Sequence, residues 1–91
     1  MPLVTTQVML KDAQAQGYAV GAFNIENMEM AQAVVEAAQE LRAPVILQTT
    51  PGTVKYAGLE LYSANVRTLA QRASVPVALH LDHGNSFALC A

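Results

Sequence analysis

The spacing of apolar residues changes several times along the chain, from helical to continuous and back, which marks alternating helices and strands. Val8, Met9, Leu10, Ala13 and Ala15 predict a short first helix, with Thr5 or Thr6 as its cap and Gly17 as its end. Tyr18 to Phe23 (Tyr-Ala-Val-Gly-Ala-Phe) is apolar or small throughout and predicts a buried strand. Asn24 or Asn27 can cap the next helix, where Glu26 and Glu29 suit the positive end of the dipole. Its Met28, Ala31, Val34, Val35, Ala38 and Leu41 form one stripe, with Glu36, Gln39 and Glu40 mostly off it. Pro44 follows, and Val45-Ile46-Leu47 predicts a second buried strand. Thr49-Thr50-Pro51-Gly52-Thr53 reads as a loop by its turn chemistry. A long helix from about Gly58 to Arg72 follows, with Leu59, Tyr62, Val66, Leu69 and Ala73 inward. Pro76 breaks it off, and Val77 to Leu81 is the third strand.

Helix, strand, helix, strand, helix, strand is the signature of an α/β architecture with a parallel sheet. The strands are apolar throughout rather than alternating, as strands covered on both faces are. Three strands leave the last with an open apolar edge. An interrupted (β/α)₈ barrel and an interrupted doubly wound sheet both fit this order.

Composition sharpens the picture. Of 91 residues, 53% are hydrophobic and only 13% charged, a greasy balance for so short a chain. Part of its surface is therefore expected to meet a partner chain or the rest of a domain. The net charge is −2, and Lys11, Arg42, Lys55, Arg67 and Arg72 are scattered, which argues against nucleic acid. No apolar run approaches the ~20 residues needed to span a bilayer, so no membrane role is expected. Residues 1–10 lack the basic segment and apolar core of a secretory signal. The single cysteine, Cys90, excludes an internal disulfide and fits a reducing cytoplasm; it has no identifiable base partner and is no nucleophile.

The chemistry concentrates where strands end. The first ends at Asn24, the second at Gln48-Thr49-Thr50, and the third at Asp82-His83. In either parallel architecture, sites form at the C-terminal ends of strands. Strand alternation would put Ala78, His80 and Asp82 on one face and Val77, Leu79 and Leu81 on the other. His83 lies one step beyond, where Gly84 would let the imidazole turn back toward a cavity. An imidazole is a good zinc ligand, and a neighbouring carboxylate can move a proton without competing for the metal. One histidine, however, cannot hold zinc. His80 is expected to be a supporting or core residue. Gly52 with Thr49, Thr50 and Thr53 could offer amides and hydroxyls to a phosphate or a substrate hydroxyl. No GxGxxG or P-loop pattern is present.

Four segments together match a known pattern: Tyr18-Ala19-Val20-Gly21-Ala22-Phe23-Asn24, Ala43-Pro44-Val45-Ile46-Leu47-Gln48, Thr50-Pro51-Gly52-Thr53, and Pro76 through Gly84 with its His80-Leu81-Asp82-His83. In this order and spacing they resemble the class II, zinc-dependent ketose-bisphosphate aldolases over nearly the whole chain. The Thr-Pro-Gly-Thr loop is similar to the tagatose-bisphosphate branch, whereas Gly21 and Leu-Asp-His-Gly are closer to fructose-bisphosphate members. The resemblance implies that residues 1–91 are part of a single (β/α)₈ barrel domain, its first three strands with an N-terminal helix. It implies that Asp82 exchanges a proton with the substrate C4 hydroxyl and that His83 is the first of three Zn²⁺ ligands. Asn24 and Thr50 would line the cavity of a sugar bisphosphate. Zinc would polarise the ketone and stabilise the enediolate left when the C3–C4 bond breaks. The remaining ligands would lie beyond Ala91, so the isolated chain is expected to be inactive and to fold poorly. Homo-oligomerisation of the complete protein is a further implication. A non-catalytic relic or interaction module, with an idle Asp82-His83, is the alternative; the missing Gly-rich turn weakens a doubly wound phosphate-binding domain.

Overall fold

A computed structural model describes residues 3–87, so the expectations for Cys90 and for the first two residues lie outside the described part. The first helix, α1 (Thr6–Gln16), starts where the Thr5 hydroxyl accepts from the Val8 amide and ends at Gly17, whose φ of 75° is left-handed. After β1 (Gly21–Asn24), α2 (Met28–Glu40) starts at Asn27, whose side chain accepts from the Met30 amide at 2.9 Å. It closes with Arg42 at φ 52°; the Arg42 amide donates to Gln39 and the Ala43 amide to Ala38. That paired arrangement satisfies the last carbonyls of a helix and normally favours glycine at the left-handed position. Strand β2 (Val45–Thr49) follows, and its neighbour β3 (Val77–Leu81) has the bounds the sequence predicts.

Between them the structure departs from the expected loop. Thr50 caps an additional helix, α3 (Pro51–Ala57), accepting from the Thr53 amide at 3.4 Å. Pro51 occupies the first helical turn, where its missing N–H costs nothing and its fixed φ is already helical. Turn-forming residues and helix-starting residues are largely the same set, and only the continuation decides between them. Gly58, at φ 86°, then redirects the chain into α4 (Leu59–Arg72).

The sheet is parallel, in the order β1-β2-β3. Its two faces are covered differently. Val45, Leu47 and Val77 pack beneath Ala31, Val35 and Ala38 of α2 and Tyr62, Val66 and Ala70 of α4, with Ile25 and Val75 at the margins. Ile46 and Ala78 turn the other way and meet Met9 of α1, with Val4 and Val20 beside them. Odd and even strand positions thus separate onto two cores, as the two-residue period of a strand requires. The Val4 amide donates to the Val77 carbonyl at 2.9 Å and ties the chain entering α1 to the start of β3.

Three expectations about burial are corrected. Strand β1 is exposed along all four residues, with Phe23 at 50%. Among the described residues it is an edge strand paired only to β2, and an open groove of about 260 Å³ runs beside it between Gly21, Phe23, Val34, Leu41 and Pro44. Leu59 is exposed rather than inward, because it opens α4 at the turn from α3; Tyr62, one turn later, is the first residue of that face to be buried. Met28 and Leu41, at the two ends of the α2 stripe, are also exposed. A helical stripe reports which side faces inward, while the covering layer decides how far along it burial extends. No helix among the described residues is long and apolar enough to cross a membrane.

Candidate functional site

Because the sheet is parallel, all three strands deliver their last residues to the same edge. Register then sets the rows. Gln48 of β2 is the Cα partner of Asn24 on β1 and of His80 on β3. They follow Ala22, Ile46 and Ala78 by two residues, so they share the face that α1 covers only at its beginning. Their side chains join: Gln48 Nε2 donates to Asn24 Oδ1 at 2.7 Å, and Gln48 Oε1 lies 3.0 Å from His80 Nδ1. An apolar start and a polar end on one sheet face make a floor with a reactive rim.

Asp82 stands one residue past β3 and is anchored by its own amide, which donates to the Thr49 carbonyl at 2.7 Å. That bond extends the β2–β3 pairing into the turn and holds the carboxylate at the rim. Asp82 Oδ1 accepts from the His83 amide at 3.1 Å, and Oδ2 lies 3.6 Å from His83 Nε2. His83 itself takes the left-handed conformation, at φ 57°. The reversal expected at Gly84 therefore falls on the histidine. Left-handed backbone costs a non-glycine residue roughly 1–2 kcal/mol, and strained residues of this kind cluster at functional sites. The imidazole is 79% exposed and the carboxylate 36%, so both are open to a ligand approaching the rim.

The four residues singled out in the sequence divide into groups. Asp82 and His83 contact one another, and Asn24 joins the row of Gln48 and His80. Thr50 sits at the same sheet edge but spends its hydroxyl on the start of α3, 3.3 Å from Thr53 Oγ1 as well as capping its amide. His80 is no core residue: it is exposed and reaches Gln48. Reading by strand ends counts Gln48 among the polar residues at the end of the second strand but gives it no role of its own. Its signal was register, since Gln48 follows Ile46 by one full strand period and faces the same way.

Among the described residues, no group of three His, Cys, Asp or Glu side chains is placed to hold a metal ion. His83 can donate one imidazole, but zinc sites of the catalytic kind need three protein ligands. The described residues alone do not fit the ion.

An open, helix-backed parallel sheet with an acid and an imidazole at its C-terminal rim defines the class of α/β proteins that build sites from strand ends. Within that class the family is settled by comparison. Residues 4–91 match the class-II fructose-bisphosphate aldolase family, and the chain belongs to it. It is 54% identical over 85 residues to the fructose-bisphosphate aldolase of Thermus caldophilus, covering 93% of this chain and 28% of that one. A Bacillus subtilis (strain 168) protein, named a probable fructose-bisphosphate aldolase, is 47% identical over 94 residues, covering 100% and 33%. The crystal structure of the YdjI aldolase of Escherichia coli K12 superposes with a TM-score of 0.88 at 36% identity, covering 97% of this chain and 34% of that one. The chain therefore spans about a third of the length of the relatives it matches.

Proposed function

We propose that this segment forms the first three strands of a (β/α)₈ barrel whose complete protein reversibly cleaves tagatose 1,6-bisphosphate or fructose 1,6-bisphosphate. The products are glycerone phosphate and glyceraldehyde 3-phosphate. The observation that carries this reading is the parallel register, which sets Asn24, Gln48, His80 and the Asp82-His83 turn along one sheet edge in a chain of the aldolase family.

Asp82 is the proton-handling group. In the cleavage direction its carboxylate accepts the proton of the C4 hydroxyl as the C3–C4 bond breaks, and it returns that proton in condensation. Partial exposure keeps it accessible to a substrate, and the Thr49 carbonyl holds its backbone in place. Asn24 offers an amide to a substrate oxygen. Thr50 contributes from the same rim, where its first role is to start α3. His83 supplies one ligand to the zinc ion on which the family generally depends, and the other ligands come from the remainder of the full-length protein. That protein is a homo-oligomer acting in the cytoplasm, with small sugar bisphosphates as its partners rather than nucleic acid or membrane.

The test is a pair of substitutions in a full-length aldolase carrying this segment. Asp82→Ala should lower turnover by about 10²–10⁴-fold, the range for losing one general acid–base group, while zinc content stays near normal. His83→Ala should lose zinc and activity together. Full zinc occupancy in His83→Ala would remove that residue from the ligand set. Turnover unaltered by Asp82→Ala would remove the proton role. Parallel assays on the two bisphosphates decide the epimer. The 91-residue polypeptide made alone should cleave neither, because one imidazole does not retain zinc and three strands do not close a barrel.

A further inference from the structure

The row of Asn24, Gln48 and His80 has a direction. A primary amide divides its roles: the nitrogen only donates and the oxygen only accepts. Gln48 turns its nitrogen to Asn24 Oδ1, at 2.7 Å, and therefore presents its oxygen to His80 Nδ1, at 3.0 Å. That second contact is a hydrogen bond only if Nδ1 carries the proton. Whichever nitrogen of an imidazole is protonated is set by the bond the ring makes.

We infer that His80 is a positioning residue for Asn24, acting through Gln48: its Nδ1–H form fixes the direction of the whole row. The consequence reaches both ends. With Oδ1 accepting from Gln48, the Asn24 amide nitrogen is the group of that side chain left as a donor outside the row. At the other end His80 Nε2 is left bare, an acceptor on the same face. A reversed row would need a bare Nδ1 and would present the Asn24 oxygen instead. The two directions therefore differ in what Asn24 offers a polyol: a donor for a carbonyl, phosphate or hydroxyl oxygen, or an acceptor for a hydroxyl proton. Register makes the coupling possible, because Gln48 is the Cα partner of Asn24 on one side and of His80 on the other.

The consequence for substrate binding rests on the aldolase reading; the direction of the row does not. The experiment separates the two. Imidazole-nitrogen NMR on the full-length chain, with His80 assigned through His80→Gln, should show His80 in the Nδ1–H form at neutral to mildly alkaline pH. Gln48→Ala should shift it toward Nε2–H. An Nε2–H form in the unsubstituted protein, or a tautomer indifferent to Gln48→Ala, overturns the inference. Kinetics give the second measurement. His80→Leu should lower kcat/KM about tenfold, the scale of one functional hydrogen bond, chiefly through KM, and His80→Asn should restore most of it by supplying a donor near the Nδ1 position. In an Asn24→Ala background His80→Leu should have no further effect, whereas independent, additive losses overturn the positioning role. If the unsubstituted full-length protein cleaves no ketose bisphosphate, the proposed function fails, and the tautomer still decides the row.

Discussion

One face of the three-stranded sheet is sealed by α2 and α4 over Val45, Leu47 and Val77, while the other carries α1 across its first rows and then opens onto Asn24, Gln48 and His80. The sealed face is apolar and closely covered: Leu47 and Val77 are fully buried. The open face has a small apolar cluster of Met9, Ile46 and Ala78, followed by amides and an imidazole bonded to one another. Adjacent residues of a single strand thus serve different ends. Stability comes from one side of the backbone and chemistry from the other, because successive side chains of a strand point in opposite directions.

Substitutions along the strands can break or sharpen this division. The largest effect is expected at the rim, where Asp82→Ala costs turnover its 10²–10⁴-fold, equivalent to about 3–5 kcal/mol of transition-state stabilisation, without lowering the denaturation midpoint. Next comes Leu47→Ala on the sealed face. Emptying a fully buried leucine site should destabilise the full-length protein by about 2–5 kcal/mol, read as a lower denaturant midpoint with zinc content per folded molecule unchanged. Its neighbour Gln48→Ala, on the open face, should move that midpoint by no more than about 0.5 kcal/mol while impairing catalysis. Equal destabilisation by the two would show that the faces are not functionally distinct.

Smaller effects belong to the elements that hold the sealed layer in place. Asn27→Ala removes the cap that accepts from the Met30 amide and should cost about 1 kcal/mol, measured by chemical denaturation. Tyr62, between α4 and the sheet, donates to the Ile25 carbonyl at 3.3 Å. Burial raises its hydroxyl pKa above the ordinary 10.0, with Glu26 adding to the rise and a hydrogen bond with Thr49 opposing it. The unfolded chain then releases this proton first as pH climbs, so the contribution is fully present below pH 10 and is lost as pH rises through the folded-state value. Stability should fall more steeply on the alkaline side in the unsubstituted protein than in Tyr62→Phe, and parallel curves would exclude the effect. The smallest expected change is a gain: Arg42→Gly relieves a left-handed residue at the end of α2 and should stabilise by roughly 0.5–1 kcal/mol, seen as a higher midpoint.

Much of the layer structure is legible in the residues. Gly17 ends α1, Asn27 starts α2, and the apolar runs locate β2 and β3, because caps and periodicities act within a few residues of themselves. Helix α3 escapes such a reading. Thr50-Pro51-Gly52 suits both a turn and a helix start, and its outcome depends on Val54, Lys55 and Tyr56 continuing the spiral. The candidate site divides in the same way. Asp82 and His83 stand out because a carboxylate and an imidazole beside an apolar strand are costly without a use, whereas Gln48 is only one polar strand end among several until register sets Asn24 and His80 on either side of it.

The sequence by itself determined the order of elements apart from α3, the parallel α/β class and the resemblance to zinc aldolases, all of which rest on local pattern and on motifs read in order. Tertiary structure alone decided that β1 stays exposed beside its groove, that His83 rather than Gly84 makes the reversal, and that three distant polar residues form one bonded row. Burial and register are properties of what lies alongside a strand, and a linear pattern carries only what lies along it.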